Sequence, residues 1–292
     1  MRVEDFLAEV DLAFGGDPQT SEPRDPAFAE IAATVNGYTS ANELAVLNAA
    51  ARVLPADECY LEVGSYKGRS MCAAVRGVSD KAFYIVENYL EFGMQGQEAR
   101  AELERNLRTH AAHADVRLIE GNCFSLLRRP GVIDRPVGVY FYDGEHTGLS
   151  HYLALGIIEP WLADEAVVLV DDATYPMVSG AHEEFIARHP QWRVERRWDA
   201  ETNGDPRWAN GLHALSFRRD EDTARGSAEP WDVRWRRLTY LSSLGPGQKA
   251  AWTAIHRFPE LIPLAKKLYP SKRASSIDSR GTQERPSEQG ES

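Results

Sequence analysis

Three aspartates at the ends of two apolar runs are the residues of this sequence best suited to chemistry. One run ends Tyr140-Phe-Tyr-Asp143-Gly-Glu-His146, and the next ends Leu169-Val-Asp171-Asp172. If the two runs are adjacent parallel strands, Asp143 and the Asp171/Asp172 pair share one rim. Three carboxylates so placed repel one another unless a cation lies between them. An oxygen-only set of Asp side chains, completed by waters, suits Mg²⁺ or a similar divalent ion. Neither cysteine nor a histidine pair stands at zinc spacing. Each Asp alone could instead cap a following helix, but three on two successive strand ends favour a metal. His146 follows Asp143 by one helical turn, so it could face the same site as a base. An isolated histidine is otherwise a surface or packing residue.

A second constellation lies earlier. Glu62-Val-Gly64-Ser-Tyr-Lys-Gly68-Arg-Ser70 directly follows an apolar run and opens a helical one. Glycines let the backbone turn sharply and approach a ligand, and the N–H groups of a helix start favour a carboxylate or phosphate. The spacing is neither G-x-G-x-x-G nor a P-loop, which weakens a dinucleotide or nucleoside triphosphate reading. The alternative is a tight turn without a ligand. Glu62, an acid ending a buried strand, needs a partner, and a cationic ligand group would supply one. Glu87 ends the next run, 23 positions after Gly64, where an acid can accept both hydroxyls of a ribose. Glu120-Gly121-Asn122-Cys123 ends a third, and its Gly-Asn loop could contact an adenine, although Gly-Asn is also common turn chemistry.

These residues must be carried by a sheet. Short, nearly continuous apolar runs at Cys59–Val63, 82–86, 116–119, Val137–Tyr142 and 166–170 read as strands covered on both faces. Helical candidates at 68–78, 93–112, 122–129, 147–162 and 177–189 alternate with them. That alternation predicts an α/β fold, a Rossmann-like doubly wound sheet of about seven strands, mostly parallel. Runs at 192–198 and 211–217 have only a loop between them, so they should form an antiparallel edge hairpin. Ser40-Ala-Asn-Glu43 fits a capping box for a helix over 41–54, preceded by a helical N-terminal segment (1–36). Trp231, Trp235, Leu238 and Leu241 could line a helix, and 250–258 and 261–268 could add two more. Residues 271–292 are polar and aperiodic, the mark of a disordered tail.

Together these motifs resemble the class I S-adenosylmethionine-dependent methyltransferases, and more narrowly the metal-dependent O-methyltransferases. That group includes catechol O-methyltransferase, bacterial sugar O-methyltransferases and methyltransferase family 24. The resemblance covers about 37–217 of an expected methyltransferase domain at 37–219, followed by a helical extension at 220–270. Leu61–Ser70 is similar to the family's Glu-x-Gly-x-x-x-Gly-x-Ser turn, which implies cofactor contacts from Glu62, Gly64, Ser65, Tyr66, Gly68 and Ser70. The resemblance further implies the ribose acid at Glu87, adenine-side contacts at Asn122 and Cys123, and a cofactor role for Asp143. It also implies metal ligands at Asp143, Asp171 and Asp172, the first two 28 positions apart. Catechol-type enzymes carry Asn at the third ligand and a Lys base. Asp172 and His146 here lean towards the sugar or natural-product branch, with His146 or Asp143 as the base.

Composition sets the outer limits. The 292 residues are 43% apolar and 26% charged, an ordinary globular make-up without a membrane-spanning apolar run. The net charge of −11 disfavours nucleic acid as a partner. Three scattered cysteines and no signal-peptide layout suggest a reducing cytoplasm. The expected function is Mg²⁺-dependent O-methylation of a small-molecule hydroxyl, on a sugar or natural product, with the oligomeric state open. Alternatives are a non-catalytic S-adenosylmethionine-binding protein or a hydroxylase-type relative on the same fold. All tryptophans except Trp161 lie beyond residue 190 (Trp192, Trp198, Trp208, Trp231, Trp235, Trp252). They could offer flat faces to an acceptor or simply pack added helices.

Overall fold

In the computed structural model, residues 1–89, 93–220, 226 and 229–244 are described. Met1–Arg236 form one compact unit and Arg237–Ser292 a second, of which 237–244 are described. The expected helices at 250–258 and 261–268, Trp252 and the tail from 271 lie outside the described residues.

The first unit begins with α1 (Val3–Ala13) and α2 (Ala27–Thr34), which rest on α3 (Ala41–Arg52). The capping box predicted for α3 is present. The Ser40 hydroxyl accepts the Glu43 N–H at 3.3 Å, and the Glu43 carboxylate accepts the Ser40 N–H at 2.7 Å. With Ala, Leu and Val on most of its faces, α3 is buried almost all round. Such a helix belongs in a core rather than on a surface.

Strand and helix then alternate as β1 (Cys59–Val63), α4 (Arg69–Ala74), β2 (Ala82–Glu87), α5 (Gly93–His110), β3 (Asp115–Glu120) and α6 (Cys123–Leu126). They continue as β4 (Val137–Tyr142), α7 (Gly148–Ile158), β5 (Leu162–Val170), α8 (Pro176–Arg188), β6 (Trp192–Trp198) and β7 (Leu212–Arg218). The seven strands form one sheet in the order β3-β2-β1-β4-β5-β7-β6. β1 to β5 are parallel, and β7 runs antiparallel between β5 and β6. Val63 stands opposite Val86 and Tyr142, and Tyr142 opposite Val170, so β1, β4 and β5 end level and β2 runs one residue further.

Sequence periodicity misses four features. β5 begins at Leu162 rather than 166, because Asp164 and Glu165 interrupt its apolar pattern. They are carried at the strand start by Arg219 and Arg218, at 3.3 and 3.2 Å. β3 is not covered on both faces. It is the edge strand, and its burial alternates. α4 and α6 are shorter than their apolar patterns suggest, ending at Ala74 and Leu126. The tryptophans divide. Trp192, Trp198 and Trp208 are packed inside the fold, Trp198 and Trp208 stacked at 5.2 Å, so these three offer no face to an acceptor.

A helix does form over α9 (Trp231–Thr239), but Trp231 and Trp235 point outward, 68% and 54% exposed. Val233 is the residue turned inward, against Gly156 of α7. A Cβ on Gly156 would lie 2.3 Å from a Val233 methyl. Gly156→Ala therefore tests this contact by its sign. Helix propensity alone favours alanine by about 1 kcal/mol, whereas overpacking against a stiff β-branched neighbour costs roughly 1–3 kcal/mol. Urea denaturation should show the variant less stable; a gain in stability would contradict the packing.

Candidate active site at the carboxyl edge of the sheet

Hydrogen bonding continues past the level strand ends. The N–H of Gly64 donates to Val86 at 3.1 Å, that of Asp143 to Val63 at 2.9 Å, and that of Asp171 to Tyr142 at 3.0 Å. The first residues beyond β1, β4 and β5 are therefore set side by side, at about the 4.8 Å spacing of a sheet. Gly64 has φ +93°, and a Cβ there would fall 1.9 Å from the Asp143 carbonyl oxygen. Only glycine fits both the left-handed backbone and the gap. The cofactor-type turn and the first aspartate are thus in direct contact.

The turn itself is built from its own side chains. Glu62 is wholly buried; one oxygen accepts the Ser70 hydroxyl at 2.7 Å and the other, Oε2, has no partner. Burial pushes its carboxyl up to about 7, with the Ser70 hydrogen bond opposing the shift. Gly68 (φ +86°) packs on Leu103, and its N–H closes a turn onto the carbonyl of buried Ser65 at 2.7 Å. Tyr66 (φ +47°) donates its N–H to Glu87 Oε2 at 2.8 Å, and its ring stacks on that of Tyr38 at 6.0 Å. The other Glu87 oxygen accepts the Asn88 N–H at 2.8 Å, so the carboxylate is held at the end of β2. Asn122 precedes α6 without capping it, and its buried Oδ1 lacks a partner. Cys123 is buried, its thiol pushed up to about 12 by burial, which makes it a packing residue rather than a nucleophile. The orphaned oxygens of Glu62 and Asn122 fit a ligand with a cationic group near one and an amine near the other.

Across the turn lie the aspartates. Asp143 and Asp171 carboxyls are within hydrogen-bonding reach of each other. Loss of solvent and then the charges of Asp171 and Asp172 hold Asp143 well above the usual carboxylate range. Asp171 is pushed up to about 7 by burial, then by Asp172, and its Oδ1 has no partner. Glu43 joins this group. It is fully buried, its Oε1 is unpartnered, and burial followed by the Asp171 charge raises its pKa strongly. The sequence hid Glu43 because the capping box explains it. A box consumes one oxygen, and the second was the signal, set in a helix with no polar face.

The third aspartate behaves differently. Asp172 has φ +56°. Its Oδ2 lies 2.5 Å from Nδ1 of His146, and its Oδ1 accepts the Asn210 amide at 2.8 Å. His146 belongs to the loop before α7 rather than to a helical turn after Asp143, and it meets Asp172 rather than Asp143. Asn210 was not expected from the sequence; the 202–211 loop carries no motif.

Among the described residues no three His, Cys, Asp or Glu side chains form a group that could hold a metal ion. Mg²⁺ needs only one or two carboxylates, with waters for the rest. Asp143 and Asp171, within hydrogen-bonding reach of each other and with an orphaned oxygen on Asp171, fit that smaller demand. A cleft of about 230 Å³ at the far ends of α4 and α5, lined by Ile31, Thr34, Cys72 and His113, lies away from these acids.

Glu62 gives a pH prediction for the protein without ligands. Its folded pKa, about 7, exceeds its ordinary value of 4.5. The folded state thus holds a proton that the unfolded state releases. The resulting stability is present below 4.5 and lost as pH rises through 7. Glu62→Gln should flatten the decline of the urea midpoint over that window. A slope identical to that of the unsubstituted protein would contradict the assignment.

Comparison with known proteins agrees with this geometry. Residues 61–173 match the profile of methyltransferase family 24, described as a methyltransferase domain. An O-methyltransferase from Bacillus cereus in complex with SAH aligns with a TM-score of 0.51 at 14% identity, over 67% of this chain and 92% of that one. Cofactor-bound Rv0187 from MTB aligns with a TM-score of 0.50 at 17% identity, over 76% of this chain and 99% of that one. A search of curated proteins gave no match. The matched span runs from the strand carrying Glu62 to the residue after Asp172, and the chain has the fold of these methyltransferases.

Proposed function

We propose that this protein transfers a methyl group from S-adenosylmethionine to a hydroxyl oxygen of a small molecule, a sugar or natural product, with Mg²⁺ or a similar divalent ion. One observation carries the reading: the cofactor-type turn touches the acid rim, since Gly64 has no room for a Cβ beside Asp143. A ligand on the turn is therefore within reach of whatever the acids hold.

When bound, the cofactor supplies an electrophilic methyl on a sulfonium, and the cation lowers the pKa of a coordinated hydroxyl. The chain's own residues do the rest. Glu62 and the Gly64–Gly68 turn would receive the amino-acid end, Glu87 the ribose, and Asn122 and Cys123 the adenine side. Asp143 and Asp171 would hold the cation. His146 or Asp143 would take the hydroxyl proton. Holding nucleophile, methyl carbon and leaving sulfur in line is worth up to ~7–11 kcal/mol of the barrier, and a rim fixed by the sheet ladder suits that task. The three cysteines are free, in keeping with a cytoplasmic setting, and no described helix is long and apolar enough to cross a membrane.

The test is release of S-adenosylhomocysteine from a panel of hydroxyl-bearing sugars and natural products, with Mg²⁺ and with chelator. Turnover with at least one acceptor is expected. It should fall at least tenfold on chelation and on Asp171→Asn. Cofactor binding without turnover over the whole panel would favour a non-catalytic binding protein. Turnover unaffected by chelator would remove the metal.

A further inference from the structure

The glycine turn is tied to the loop between α2 and α3 through the residues that lie between its motif positions. Tyr66, Lys67 and Arg69 stand between Glu62, Gly64, Gly68 and Ser70. Each of the three meets the loop directly or through one residue. Arg69 spans the two ends of the loop. Its Nε donates to the carbonyl of Val35 at 2.6 Å and its Nη1 to that of Thr39 at 3.0 Å. Val35 follows α2, Thr39 precedes the cap of α3, and both are buried, so the clamp satisfies two carbonyls outside either helix. Gly37, in the middle of the bracketed stretch, lies against the Arg69 stem, and a Cβ on it would fall 2.9 Å from the Arg69 Cβ. Asn36 donates its amide to Glu102 Oε1 at 2.6 Å, and Glu102 Oε2 pairs with Lys67 Nζ at 3.0 Å. Tyr38 stacks on Tyr66, which is itself held at both ends: its N–H by Glu87 and its carbonyl by the Tyr89 hydroxyl. Both stacked rings stay open to solvent, Tyr38 at 69% and Tyr66 at 41% exposure.

We propose that Arg69 is a positioning residue for the cofactor: by clamping the 35–39 loop it holds Tyr38 on Tyr66 and makes that loop one wall of the cofactor site. The inference rests on the methyl-transfer reading, which seats the amino-acid end of the cofactor on this turn. The three ties are unequal. Arg69 supplies two charge-assisted bonds from a half-buried planar fork, the strong and directional kind. Lys67 and Glu102 make one contact between partly exposed groups, which is worth little alone. The tyrosine stack adds apolar contact without fixing the backbone. Without the fork, the Val35 and Thr39 carbonyls lose their donor, and the place of Tyr38 depends on the two weaker ties. The Glu43 charge also acts on the Arg69 guanidinium, so the clamp adjoins the acid rim as well as the turn. A ligand on the turn thus meets an aromatic pair that is already ordered, and ordering it is no longer a cost of binding.

Calorimetry and stopped-flow dissociation of S-adenosylhomocysteine test this without an acceptor or a metal. Arg69→Met keeps a stem against Gly37 and removes both donors. It should raise Kd by about tenfold or more, mainly through faster dissociation. Arg69→Lys, with donors but no fork, should give a Kd between the two. Tyr38→Ala, at an exposed position, should raise Kd by about fivefold. Arg24→Met is the control, since it removes a clamp on the Phe14 carbonyl (Nε at 2.7 Å). It should lower the urea midpoint and leave Kd within about twofold, which separates positioning from stability. An unchanged dissociation rate in Arg69→Met, an unchanged Kd in Tyr38→Ala, or an equal loss of affinity in Arg24→Met would overturn the proposal. If Arg69→Met does not fold, a Kd equal to that of the unsubstituted protein in Arg69→Lys or Tyr38→Ala overturns it, and a raised Kd in both supports it. Failure of the unsubstituted protein to bind S-adenosylhomocysteine would instead overturn the methyl-transfer reading on which the inference rests.

Discussion

Burial, followed by the charges of Asp171 and Asp172, raises the pKa of Glu43 and Asp143 at the carboxyl edge of a single sheet, burial and Asp172 raise that of Asp171, and the site is organised around that crowding. Carboxylates withdrawn from water and set near one another cannot all ionise. Either some keep their protons or a cation arrives. A fold that holds them apart from solvent in spite of this stores an affinity for positive charge. Glu62, with its own orphaned oxygen on the adjoining turn, extends the same condition to the cofactor side. A sulfonium cofactor with an ammonium group, and a hard divalent ion, are the two kinds of charge that such an edge suits.

The crowding is maintained by backbone rather than by side-chain packing. Ladder hydrogen bonds run one residue past β1, β4 and β5, so Gly64, Asp143 and Asp171 have no freedom to separate. Gly64 is obligatory where two chain segments come close enough to exclude a Cβ. From the other side, the packed aromatic set of Phe14, Trp198 and Trp208 fixes the 202–211 loop, and through Asn210 it fixes Asp172. Tryptophans that look like acceptor platforms in the sequence act here at a distance, by anchoring the loop that reaches the site.

The sheet, its strand boundaries and the glycine turn are legible in the sequence because they rest on local signals. Apolar runs mark β1 and β4 to the residue, and a capping box marks the start of α3. The acids on the rim are legible because they end those runs. What is not legible depends on distant partners. Glu43 is accounted for by its own helix, and only the fold reveals that its second oxygen is buried without a partner and that the Asp171 charge acts on it. His146 sits near Asp143 in sequence but meets Asp172, since the loop before α7 turns it. Asn210 lies 38 positions from the residue it holds. The start of β5 is masked by Asp164 and Glu165, whose arginine partners come from the end of β7 and the residue after it.

The claim that the edge holds protons in place of a cation is open to direct measurement. Calorimetric titration of the intact protein with S-adenosylmethionine and Mg²⁺ at pH 6.5, repeated in buffers of different ionisation enthalpy, counts the protons exchanged on binding. Acids whose pKa is raised in this way must give up protons when positive charge arrives. The account predicts release of about one proton or more per chain. Binding with no net proton release would mean that the carboxylates are already ionised in the empty site, and would contradict it.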